Sequence, residues 1–153
     1  NAVYLASLGY EVVAVDQSEV GLVKAAELAA QQGVQIQTIV ADLAEFIIEP
    51  DTWQGVVSIF CHLPSALWQQ VHSDAIAGLT SGGALVLESY TPRQLEFRTG
   101  GPSNVDMLVS LETVKSSLTE LHWKIAREVD REVIEGAYHT GLAAVVQILA
   151  EAY

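Results

Sequence analysis

Cysteine is almost absent. Cys61 stands alone, so no internal disulfide can form, and a reducing cytoplasmic setting is expected. Basic residues are scarce as well: seven Lys and Arg against nineteen Asp and Glu leave a formal net charge of −12. Phosphate backbones need clustered cations, which excludes nucleic acid as a partner. Anionic membrane surfaces are disfavoured on the same ground. No apolar run reaches membrane-spanning length, and no charged start leads into an apolar core. Repeats and low-complexity tracts are missing too. Only 17% of residues are charged while 50% are hydrophobic, which argues against a disordered chain. A length of 153 residues then predicts one soluble domain, spanning 1–153, with a substantial core.

What is present alternates between strand and helix patterns. Ala2 to Leu8 read as the end of a helix, with Gly9 at the usual stop position. Glu11 to Asp16, "EVVAVD", is a β-branched apolar run too short for a helix. Ser18 can cap a helix running to Gly33. "VQIQTIV" and "GVVSIF" predict two further strands. Pro64 and Ser65 then open a helix with Leu67, Val71, Ala75 and Leu79 at four-residue spacing. Gly82 and Gly83 turn the chain into a fourth strand, "ALVLESY". After a loop from Thr91 to Pro102, Ser103 with Asp106 resembles a capping box. The stripe Met107, Leu111, Val114 and Leu118 reads as core. Two closing strands, about Trp123 to Val133 and Leu142 to Ala150, have no helix between them and must pair antiparallel. The pattern predicts an α/β fold: a mostly parallel sheet covered on both faces, three layers in all, ending in an antiparallel hairpin.

Ligands in such sheets bind beyond the carboxyl ends of the strands, which selects the residues to weigh. Asp16 can accept both hydroxyls of a ribose, or serve as a turn carboxylate ahead of Ser18. Asp42 can accept from an adenine amino group with Leu43 packed on the ring, or cap a helix. His62, between an apolar strand and Pro64, can act as a general base or substrate contact, or rest as a satisfied polar group. His139, beside Tyr138 and Glu135, has the same two readings. Tyr90 and Arg98 follow the fourth strand; Arg98 can hold an anionic substrate or merely a carboxylate or helix end. His62, His72, His122 and His139 lack metal-ligand spacing, so no metal is expected. His72 and His122 read as solvated. "RTGGP" lacks the lysine of a phosphate loop, and no nucleophile elbow is present.

Together these segments resemble the class I, Rossmann-like S-adenosylmethionine-dependent methyltransferases, with small tellurite-resistance-type members closest in kind. "GYEVVAVDQSE" resembles the second-strand motif, whose acidic residue binds the ribose; the resemblance thus places Asp16 and the adjacent Gln17 at the cofactor. "VADLAEF" resembles the adenine-contacting segment and implies Asp42 and Leu43. "GVVSIFCHLP" resembles the fourth-strand motif lining the methyl-transfer cleft, implying Phe60 and Cys61 there. "GLTSGGALVLESY" resembles the family's "LKPGG" turn and fifth strand, with Thr80 and Ser81 in place of Lys and Pro. The terminal hairpin matches the family's antiparallel pair.

The resemblance implies S-adenosylmethionine as cofactor; the acidic composition and a His- and Tyr-lined cleft mouth point to a small polar acceptor, with His62 or His139 removing its proton. Substrate contacts would come from Tyr90, Arg98 and Tyr138. Family members carry a first strand and a glycine-rich loop, of the type D-x-G-C-G-x-G, directly before a helix like "NAVYLASLGY". The sequence is therefore expected to start downstream of that motif. Strand edges left open in this way would invite homo-oligomer formation. Two other readings share these features. One is a non-catalytic remnant acting as a binding or assembly module. The other is nicotinamide oxidoreduction, which fits the closing hairpin and "ADL" poorly.

Overall fold

The computed structural model describes residues 1–134 and 140–153. They fall into two compact units, residues 1–47 and 48–153. In the first, helix α1 (Ala2–Ser7) precedes strand β1 (Val13–Asp16), helix α2 (Glu19–Gln31) and strand β2 (Gln37–Val40). The Ser18 hydroxyl accepts from the Gly21 N–H at 3.0 Å and starts α2 as the sequence predicts. Helix α2 buries Leu22 and Ala29, seven residues apart and so on one stripe, and packs on both strands. The strands pair in parallel, with Val13 opposite Gln37 and Asp16 opposite Val40.

The second unit holds strand β3 (Trp53–Ile59), helix α3 (Ser65–Gly78), strand β4 (Leu79–Tyr90) and a short helix α4 (Gln94–Phe97). A 3₁₀ turn (Val105–Met107), helix α5 (Leu111–Ser117) and strands β5 (Leu121–Ile134) and β6 (Thr140–Ala152) follow. The strand order is β3-β4-β6-β5. The β3–β4 pairing is parallel, while β6 pairs antiparallel with both β4 and β5. The closing hairpin is thus present, and the sheet is mixed.

Period-two alternation divides the side chains of this sheet between two cores. Leu85 and Leu87 of β4 and Val146, Ile148 and Ala150 of β6 meet Trp68, Val114 and Leu118 from the helices. On the other face, Tyr90, Val133, Ala143 and Val145 gather with Leu108. Beside them the half-buried Glu88 carboxylate accepts from Arg131 and, at 2.7 Å, from the Gln147 amide. Gln147 in turn accepts from Arg127 at 2.8 Å. Opposed polar side chains on adjacent strands thereby satisfy one another.

Three expectations are corrected by the structure. The helix after the loop starts at Leu111, capped by Ser110, whose hydroxyl accepts from Thr113 N–H at 3.1 Å. Ser103 caps nothing there. Leu108 and Val109 explain the shift: they are adjacent, yet each is buried in a different core. Only extended backbone sends neighbouring side chains to opposite sides, so a helix cannot run through them. In α3, the buried stripe is Trp68, His72 and Ala75 rather than Leu67, Val71, Ala75 and Leu79. Leu79 is instead the first residue of β4.

His72 is therefore core, only 1% exposed, where a solvated histidine was expected. Its Nδ1–H donates to the Trp68 carbonyl at 2.8 Å. That bond assigns the tautomer, leaving Nε2 to accept from the Ser58 hydroxyl at 2.9 Å. With both nitrogens bonded, the ring stacks on Trp68 at 4.2 Å between centroids. Burial pushes the His72 pKa below its ordinary 6.5, the Trp68 bond opposing this in part. An unfolded chain thus takes up the proton before the folded one does. The stability contributed by neutral His72 is complete above 6.5 and is lost as pH falls below that value. Denaturant midpoints measured across a pH series should fall more steeply below pH 6.5 in the wild type than in His72→Gln. Parallel curves for the two proteins would contradict this.

Candidate functional site

The two units each present polar groups at the carboxyl ends of their parallel strands. In the first, Asp16 closes β1 opposite Val40, and Asp42 follows two residues beyond. Both carboxylates therefore lie on one rim of the two-stranded sheet. Asp16 Oδ1 accepts from Ser18 N–H at 2.8 Å, and Asp42 Oδ1 from Ala44 N–H at 2.9 Å. These bonds to the residue two ahead are the local turns short carboxylates make when a strand ends. Among the described residues, neither second carboxylate oxygen meets a protein donor. The turn role and a ligand role are thus compatible: one oxygen fixes the rotamer and the other is open to solvent. Gln17 is exposed and Leu43 half-buried beside them.

In the second unit the ladder between β3 and β4 continues past Ile59 through the Phe60 N–H, which donates to the Glu88 carbonyl at 2.8 Å. Phe60 itself has φ +53, a left-handed conformation that a bulky residue adopts only under tertiary constraint. Its ring stacks on Tyr90 at 4.6 Å between centroids. His62 lies parallel to the same Tyr90, at 5.2 Å and 3° between planes. Phe60, His62 and Tyr90 thus form one aromatic group at the ends of two neighbouring strands. Cys61 and His62 are half-buried, whereas Tyr90 is a core residue at 2% exposure. Tyr90 backs His62 and presents little surface of its own.

Arg98 ends α4, exposed and at φ +56. His139, Tyr138 and Glu135 lie outside the described residues.

Sequence reasoning missed what holds the loop after β4. Gln94 is 1% exposed. Its amide donates to Thr99 Oγ1 at 3.0 Å and to the Gly100 carbonyl at 3.1 Å, and its carbonyl accepts from Ala144 N–H at 2.9 Å. One buried side chain therefore clips the loop to itself and to β6, with every polar atom satisfied. Nothing in "TPRQLEF" marks it. The glycines of "RTGGP" did carry a signal, that of close approach rather than phosphate binding. A Cβ on Gly101 would lie 2.6 Å from Tyr90 Cδ2.

The comparisons with known proteins bear on this arrangement. A family model described as a methyltransferase domain matches residues 1–83, more than half of the chain. The chain belongs to that methyltransferase family. Among solved structures, TehB from Haemophilus influenzae superposes with a TM-score of 0.79 at 16% identity, over 99% of this chain and 53% of that one. A SAM-dependent methyltransferase from Methanosarcina mazei gives 0.70 at 14% identity, over 98% and 85%. The cyclase SpnF gives 0.72 at 12% identity, over 99% and 69%. This chain thus spans little more than half the length of TehB. At such identities the likeness establishes a shared Rossmann-like fold, and that fold hosts a cyclase as well as methyltransferases. No curated protein matches the sequence.

The aromatic group yields a test of its own. Gly101 (φ +84) and Gly82 (φ +76) both have left-handed backbones, but only Gly101 faces a ring. Gly82→Ala should cost the backbone strain alone, roughly 1 kcal/mol. Gly101→Ala should cost about 1–3 kcal/mol more, because the Tyr90 ring must move within a packed core. Denaturant unfolding of the two variants side by side measures the difference, and equal losses would refute the close contact.

Proposed function

We propose that this methyltransferase-family chain uses S-adenosylmethionine to methylate a small polar acceptor. The observation that carries the reading is the pair Asp16 and Asp42, on one rim with an open carboxylate oxygen each. Adenosine offers donors where such acceptors are useful: two ribose hydroxyls and an exocyclic amino group. In this reading Asp16 accepts from the ribose, Asp42 from the adenine amino group, and Leu43 and Gln17 flank them. Hydrogen bonds to ionised carboxylates are stronger than neutral ones. The turn N–H bonds hold both groups in place before any ligand arrives, which lowers the ordering cost of binding.

When bound, S-adenosylmethionine supplies an electrophilic methyl carbon on a sulfonium centre. Methyl transfer requires in-line approach of the acceptor, and alignment is the protein's main contribution. A hydroxyl or ammonium acceptor also has a proton to lose. His62 is assigned as the group that takes it, with the parallel Tyr90 ring fixing the imidazole plane. Phe60 and Cys61 stand beside it on the same segment, and Arg98 is assigned to the acceptor. His139 and Tyr138 keep their proposed catalytic and substrate roles on sequence grounds. The acidic composition and the lone Cys61 support a small-molecule acceptor and a reducing cytoplasmic setting. Among the described residues no helix is long and apolar enough to cross a membrane. The second reading is a binding module without catalysis; the cyclase neighbour shows only that this fold also serves chemistry other than methyl transfer.

Calorimetric titration with S-adenosylhomocysteine tests the assignment. Saturable binding is expected, weakened at least about tenfold in Asp16→Asn, since bonds to charged acceptors contribute about 1.5–3 kcal/mol each. Asn keeps the turn acceptor and removes only the charge and the open acceptor. Absence of binding by the wild-type chain would favour the non-catalytic module, and preferential binding of NAD would favour nicotinamide chemistry.

A further inference from the structure

A cleft in the second unit lies outside the groups assigned above. It opens between the first turns of α3 and the segment from Asp106 into α5, with a volume of about 290 Å³. Ligand sites commonly occupy about 300–1,000 Å³, so this one suits a molecule of a few to a dozen heavy atoms. Trp68 and Val109, both core residues, contribute to its wall, with half-buried Leu63 and Met107 adding apolar surface. Methionine and tryptophan together make an adaptable apolar surface.

The polar side of the cleft has one sign. Asp106 is the sole ionisable side chain lining it among the described residues. Its carboxylate joins no ion pair among them. It is nevertheless held in place. Asp106 Oδ2 accepts from Ser65 N–H at 3.2 Å, across 41 positions of sequence, while Asp106 N–H donates to Asn104 Oδ1 at 3.1 Å. Bonding from Ser65, its hydroxyl first and its N–H second, keeps the Asp106 carboxyl below its ordinary pKa. The Gln69 amide, also lining the cleft, is exposed and makes no hydrogen bond within the described protein. An anion is repelled here, and a wholly apolar ligand leaves the carboxylate unused.

We infer that this cleft is a binding site for a small organic ammonium compound, its cationic head on Asp106 and its apolar body against Trp68, Met107 and Leu63. The site shares no residue with the proposed adenosine rim, and its test needs neither cofactor nor turnover. It can therefore fail while the methyl-transfer reading stands, and the reverse.

Phenethylamine is the probe, with phenethyl alcohol as its uncharged counterpart of similar shape, each titrated against the whole chain by ligand-detected NMR. The amine is expected to saturate in the millimolar range and to bind roughly three- to fivefold more tightly than the alcohol, the modest step of a solvent-exposed ion pair. Asp106→Asn, which keeps an acceptor for Ser65, should erase that preference. Ala66→Trp, a bulky side chain on an exposed lining position, should abolish binding of both probes. Circular dichroism shows that each variant is folded. Failure of the amine to saturate, equal affinity of the two probes, a preference surviving in Asp106→Asn, or unchanged binding in Ala66→Trp would each overturn the site.

Discussion

Strand β4 is the constraint on which the second unit depends. It is hydrogen-bonded in parallel to β3 on one side and antiparallel to β6 on the other. Its alternate side chains enter two different cores: Leu85 and Leu87 beneath the helices, Tyr90 on the opposite face. Slipping its register by one residue would exchange those sets, driving Glu88 and its partners into the apolar layer under α3 and α5. The buried face therefore fixes the register. Through it, the ends of β3 and β4 are brought level, so that Phe60 and His62 meet Tyr90.

A parallel pair with a connecting helix does for the first unit what β4 does for the second. Because β1 and β2 run in the same direction, their carboxyl ends coincide, and Asp16 and Asp42 are collected without any contact between them. Each carboxylate is oriented by its own turn. Preorganisation is thus local in origin and collective only in placement. The second unit works differently. There the aromatic group depends on distant partners, with Phe60 held at positive φ and the covering loop clipped by Gln94 to β6.

Local signals were legible in the residues themselves. The cap at Ser18, the short β-branched run ending at Asp16 and the pairing of the last two strands follow from spacing and turn chemistry, which act over a few residues. The carboxylate turn at Asp16 was readable for the same reason; at Asp42, where a helix cap was the alternative to a ligand role, a turn follows and no helix. His72 was misread because its surroundings, Ser58 and Trp68, come from one strand and one preceding helical turn. A polar residue on a helix looks solvated until its partners are known. The helix after the loop was placed too early because Ser103 and Ser110 are both good caps. The choice between them rests on Leu108 and Val109 entering separate cores, a demand made by packing alone.

The sequence by itself determined the alternation of strand and helix, the closing hairpin, the acidic character, and the two carboxylates at strand ends. These depend on periodicity, capping and composition, which are properties of short stretches of chain. Tertiary structure alone decided that His72 is core, that Gly101 must lack a side chain beneath Tyr90, and that Ser65 would hold Asp106 beside an apolar cleft. Each of those facts joins residues separated along the chain, and only the burial of β4 and its neighbours brings such residues within bonding distance.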